Sequence, residues 1–187
     1  MNIILILLRI VHIGAGVFWV GAALVSVAFI APAARASGPE GQKFVRTLMV
    51  DRRLTLAMYV ASWLTIGAGA LLYLRDSGGL QMSWITSGVG LGFTIGAFAA
   101  LASLLLGLAV LGPTVRRMGA LGAAMGAADG PSSAERQAPH LHLDLGEGAG
   151  QAEMSRLNAR MGAATRINVI LLVISLLCMA TARYWLF

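Results

Sequence analysis

Charge is scarce in this chain, and acidic charge is missing from its apolar stretches altogether. Only 12% of the 187 residues are Asp, Glu, Lys or Arg, while 58% are apolar; a soluble domain carries about a quarter charged residues. None of the eight acidic residues falls in any of the four long apolar runs, which argues against ion or proton transport along intramembrane carboxylates. Cysteine is reduced to Cys178, so an intrachain disulfide and a thiolate metal cage are both excluded. No nucleophile with a base and an orienting group is visible, and no phosphate-binding loop. The nine methionines are scattered and read better as core filling than as the graded ligand route a copper carrier needs.

What the chain has in abundance is hydrocarbon. Residues 3–31, 54–74, 87–112 and 164–187 are each long enough to cross about 30 Å of bilayer, for which roughly 20 helical residues suffice. A spanning segment must satisfy its own backbone, and these runs lack the alternation of a barrel. The expected fold is therefore all-α: one integral membrane four-helix bundle. The segment 31–36, Ala-Pro-Ala-Ala-Arg-Ala, resembles a signal-peptidase site. The stretch before it has no basic start and far exceeds the roughly 7–15 residues of a signal core, so it is read as retained.

Orientation follows from Lys and Arg. The first connection holds Arg35, Lys43, Arg46, Arg52 and Arg53; the third holds Arg116, Arg117, Arg136, Arg156 and Arg160. The second connection has only Arg75, and the ends have Arg9 and Arg183. The positive-inside rule then predicts both termini outside and a long cytoplasmic loop between helices 3 and 4. Its centre, 129–150, is rich in Gly, Pro, Ser and charge and reads as flexible. Met154, Leu157 and Met161 recur at helical spacing, which starts the fourth helix ahead of the membrane. His140 and His142 in the loop are two metal-capable side chains without a third, and a solvated pair is the simpler reading. The net charge of +6 sits beside apolar spans without interleaved aromatics. That favours anionic lipid headgroups as partners and speaks against nucleic acid.

Two patterns stand out within the spans. Gly88, Gly92, Gly96 and Ala100 recur every four residues, making one helix face almost free of side chains where backbones approach closely. Packing within the chain is the plainer use; a homodimer or larger complex interface is the other. In the first span, Arg9, His12, Gly16 and Trp19 share one face at spacings of three, four and three. A neutral imidazole there can ligate haem iron or copper, an arginine one turn away can pair with a propionate, and a glycine can clear a porphyrin edge. The plainer alternative is a histidine hydrogen-bonded to another helix, a snorkelling arginine and an interfacial tryptophan. His12 is the only histidine in a span, so a second axial ligand would have to be Met58, Met179, another molecule, or nothing.

The run Arg9-Ile-Val-His12 followed by Trp19-Val-Gly21 resembles the first span of the four-helix membrane superfamily of copper-resistance protein D and the HemJ-type protoporphyrinogen oxidases. Asp51-Arg52-Arg53-Leu54 leading to Thr65 and Gly67 is similar to the second span, and Met179-Ala-Thr-Ala-Arg183-Tyr184 resembles the fourth span of uncharacterised integral membrane members. The resemblance implies b-type haem held through His12; in a haem-binding reading Arg9 and Arg183 would meet the propionates, Gly16 leave space for a porphyrin edge and Trp19 pack the ring. It also implies membrane electron transfer in a multi-pass protein of the bacterial inner (cytoplasmic) membrane. The chain departs from the oxidase pattern in two places. Trp84 leads into Thr86 and Gly88 where a third-span lysine belongs, and Asn158 is followed by Ala159 and Arg160, not by an Asn-Glu-x-Pro motif. Arginine in place of lysine at residue 9 keeps the charge but not proton-transfer chemistry. Porphyrinogen oxidation is accordingly not expected, and the alternative function is a non-catalytic accessory subunit of an electron-transfer or photosynthetic complex.

Overall fold

A computed structural model of the chain describes residues 3–128 and 141–186, and these are helix and turn throughout, with no strand among the described residues. Four stretches are long and apolar enough to cross a membrane: Ile3–Ala36, Leu54–Asp76, Gly88–Ala124 and Gly148–Tyr184. They fit a multi-pass membrane protein with the four crossings read from composition.

The first stretch is α1 (Ile3–Val25), a π turn (Ser26–Ile30) and α2 (Ala31–Ala36). Ala31 N–H reaches back to the Ser26 carbonyl, five residues away, and Pro32 follows at once. A proline ring collides with the carbonyl four residues before it, and a widened turn clears that collision. The third stretch repeats the device. After α6 (Gly88–Leu106) comes a π turn (Gly107–Leu111), Gly112 N–H bonds to the Gly107 carbonyl, and Pro113 opens α7 (Gly112–Ala128). Both helices thereby continue past the ends expected at residues 31 and 112. Between the first two stretches lie α3 (Gly38–Arg46) and a π turn (Thr47–Asp51), ending at Arg53 in the left-handed region with φ 55°. Then α4 (Leu54–Asp76) begins where the hydropathy said it would.

A turn through Gly78 and Gly79, both at positive φ, and the short α5 (Met82–Ile85) lead to α6, whose first turn is capped by Ser87 Oγ accepting from Gly90 N–H at 3.1 Å. The last long helix, α8 (Leu141–Thr181), closes in a 3-10 turn at Ala182–Tyr184. Residues 141–150, the second half of the expected loop, are helical. Gly148 and Gly150 each weaken a helix by about 1 kcal/mol, but once a long apolar helix is nucleated each further turn adds its own hydrogen bonds. Residues 129–140 of that loop, and the His140–His142 pair, lie outside the described residues.

The helices form two compact units, 1–104 with 169–187, and 105–168. In the first, α1 and α4 run antiparallel, His12 lying against Gly69 and Gly16 against Thr65. The segments of α6 and α8 within this unit are antiparallel too, with Gly92 on Ala182 and Gly96 on Met179. Trp19 and Ala23 of α1, Ala61 of α4, Ala100 and Leu104 of α6 and Leu172 of α8 meet in one core. Four helices share that centre, and three of its six members are alanines. Large apolar side chains point outward instead, Trp63 at 58% and Phe98 at 66% exposure, as a lipid-facing surface requires. In the second unit, Arg117 pairs with Glu153 at 2.8 Å, and Leu157 and Ala164 are buried.

Candidate functional site at the seam of the first two spanning helices

Thr65 and Gly69 sit one turn apart on α4, so they share a face. The Thr65 carbonyl accepts the helix bond from four residues on, yet keeps a second lone pair. His12 of α1 takes it: Nδ1 lies 2.7 Å from the Thr65 carbonyl oxygen. The approach is possible because residue 69 has no side chain. A β-carbon there would stand 2.7 Å from His12 Cε1 and 2.9 Å from Nδ1. The imidazole therefore lies in a notch made by a missing side chain. A carbonyl can only accept, so Nδ1 carries the proton, and in the neutral ring Nε2 is left with the lone pair. This is the arrangement in which metal-binding histidines are oriented by a backbone acceptor.

The notch makes a specific demand on residue 69. Gly69→Ala should lower stability by about 1–3 kcal/mol, the range for overpacking a filled site. His12→Ala in the same chain should remove most of that loss, because the obstacle is the ring itself. A double variant no more stable than Gly69→Ala in a detergent melting series would refute the notch.

The other expected site residues are placed as follows. Gly16 faces Thr65, whose methyl would lie 3.4 Å from an added β-carbon; its space is taken up by the helix seam. Trp19 is 6% exposed and belongs to the shared core with Ala23, Ala61, Ala100, Leu104 and Leu172. Arg9 and Arg183 are exposed. The two methionines considered as second ligands are both engaged in packing, Met58 against the core and Met179 against Gly96. No group of three or more His, Cys, Asp or Glu converges among the described residues. The small-residue stripe lies on a buried face: Gly88, Gly92, Gly96 and Ala100 are all buried, with Gly92 and Gly96 taking the backbone and side chains of the last helix.

Thr65 and Gly69 are the partners that sequence reasoning did not attach to His12. Their spacing of four, with a glycine as the second member, is the one trace they leave. A second cluster also went unread. Trp84 lies edge-on to Tyr73, ring centres 5.3 Å apart, and stacks on Phe93 at 6.3 Å, while Tyr73 and Thr94 share a 2.6 Å hydrogen bond. It ties the end of α4 to the start of α6. No family model, curated protein or solved structure matches this chain.

Proposed function

We propose that this multi-pass membrane protein binds b-type haem through His12 and serves electron transfer within the membrane. The observation that carries the reading is the 2.7 Å contact from Nδ1 to the Thr65 carbonyl, which turns the free lone pair onto Nε2. The resemblance of the Arg9–Gly21 run to the four-helix haem-associated superfamily points the same way. In this reading His12 is the sole protein ligand, since Met58 and Met179 are engaged in packing. The exposed guanidiniums of Arg9 and Arg183 are available to propionates near the end of the bundle that carries both termini, the outer end in this reading. Gly16 and Trp19 contribute by holding the seam that fixes His12. Bound haem would supply a one-electron couple; the chain supplies orientation, charge at the propionates and a dry surround.

A second reading is favoured by the same seam. With Gly16 filled by Thr65 and Trp19 buried in the core, His12 also serves as a plain interhelical hydrogen bond, and the protein is then a non-catalytic subunit of a larger membrane assembly. One experiment separates them: a reduced-minus-oxidised visible spectrum of the full chain, purified in mild detergent after haem-replete expression, beside His12→Ala. Sharp haem bands in the wild type and their loss in a variant that retains its helical content are expected. A colourless wild type, or bands that survive in His12→Ala, would refute the haem reading, and specific co-purifying membrane proteins would then support the subunit one.

A further inference from the structure

An open groove of about 600 Å³ runs between α1 and α4, walled by Val11 and Phe18 on one side and Leu56, Val60 and Leu64 on the other, with Arg52 and Arg53 at one end. Leu56, Val60 and Leu64 are each about half exposed, so the groove opens outward along its length. On α1 the groove reaches Val11, beside the His12 that lies against Gly69 of α4, so along the seam it runs from Arg53 to about the level of Gly69. That is sixteen residues, about 24 Å at 1.5 Å per helical residue. An apolar length with charge at one end only suits an amphiphile with a single polar head.

The basic end makes the occupant anionic. Among the described residues neither the Arg52 nor the Arg53 side chain makes an ion pair or hydrogen bond. Arg53 also holds φ 55° and ψ 29°, a conformation that suits glycine and crowds any β-carbon. The chain thus carries a long cation where backbone geometry alone favours glycine. We propose that this groove is a site for one anionic glycerophospholipid, an acyl chain lying between α1 and α4 and its phosphate held by the Arg52–Arg53 guanidiniums, which match phosphate oxygens in a planar fork. The site is independent of His12 and of any cofactor there.

Native mass spectrometry of the full chain in mild detergent tests it, with phosphatidylglycerol and phosphatidylcholine of identical acyl chains as probes. The wild type should retain one phosphatidylglycerol in preference to phosphatidylcholine. Arg52→Gln with Arg53→Gly should weaken that retention about tenfold or more, at about one unit of headgroup attraction per arginine, while the melting temperature stays level or rises because the strained position becomes glycine. Ala57→Phe, which fills the groove and leaves the arginines, should weaken both lipids. Glycerophosphoglycerol without acyl chains should not compete. Arg116→Gln with Arg117→Gln is the charge control: it also breaks the Arg117–Glu153 pair but should leave the retention of phosphatidylglycerol over phosphatidylcholine unchanged. Equal retention of the two lipids, competition by the bare headgroup, or equal losses in both arginine pairs would each overturn the site.

Discussion

Replacing Gly92 by leucine should lower stability by about 3 kcal/mol or more, at the upper end for overpacking a close helix contact. The β-carbon alone would stand 2.7 Å from Ala182 Cβ and 2.9 Å from its Cα, with the Trp185 ring at 3.4 Å. No rotamer relieves a conflict at the β-carbon, because its position is fixed by the backbone. Ala182 is fully buried and cannot turn aside, so α6 must move away from the end of α8. Lost van der Waals contact along the helix pair follows, and in a bilayer that contact is a main source of helix association. Thermal unfolding in detergent measures it, with Gly92→Ala intermediate and Ala182→Gly restoring part of the loss in the double variant. A leucine variant melting with the wild type would show that the two helices do not meet there.

Gly90→Ala should cost about 2–3 kcal/mol despite adding one methyl group. Here the added carbon would overlap the Trp84 carbonyl oxygen and stand 2.7 Å from the carbonyl carbon, with Ile85 Cα at 3.0 Å. The obstruction is main chain, which yields less readily than a side-chain end. Relief requires α5 to lift from the first turn of α6, and that displaces Trp84 from Tyr73 and Phe93. Amide exchange should therefore quicken through Met82–Ile85 and spread to the Tyr73–Thr94 contact. Unchanged protection across α5 would contradict the close crossing.

Hydropathy and small-residue spacing made a large part of this architecture legible. The second helix begins at Leu54 and the third at Gly88, within a residue of expectation, because the bilayer demands about 20 apolar residues and tolerates little else. The four-residue repeat of Gly88, Gly92, Gly96 and Ala100 was readable because side-chain absence is itself a pattern. The helix extensions through α2, α7 and the start of α8 were not legible. Those segments carry Gly, Pro and charge, which read as loop, and they stay helical by propagation from the spans. The site was half legible. His12 stood out as a lone imidazole in an apolar run, but its partner is a backbone carbonyl, a group every residue possesses. Trp19 illustrates the converse. Its place on a helical face could be read, yet a face alone does not say whether it meets a ligand or a neighbouring helix, and it lies in the buried core that also holds Ala61.

The proline-linked wide turns at Ser26–Ile30 and Gly107–Leu111 have a bearing on registry. A π turn places one extra residue in the coil, and each α-helical residue turns about 100°. The side of α1 that meets α4 therefore does not continue along the same line into α2. The rod is phase-shifted at Ser26–Ile30, so Ala31–Ala36 display a differently composed surface. Deleting one residue from that turn would return the coil to phase and rotate α2 by about a quarter revolution.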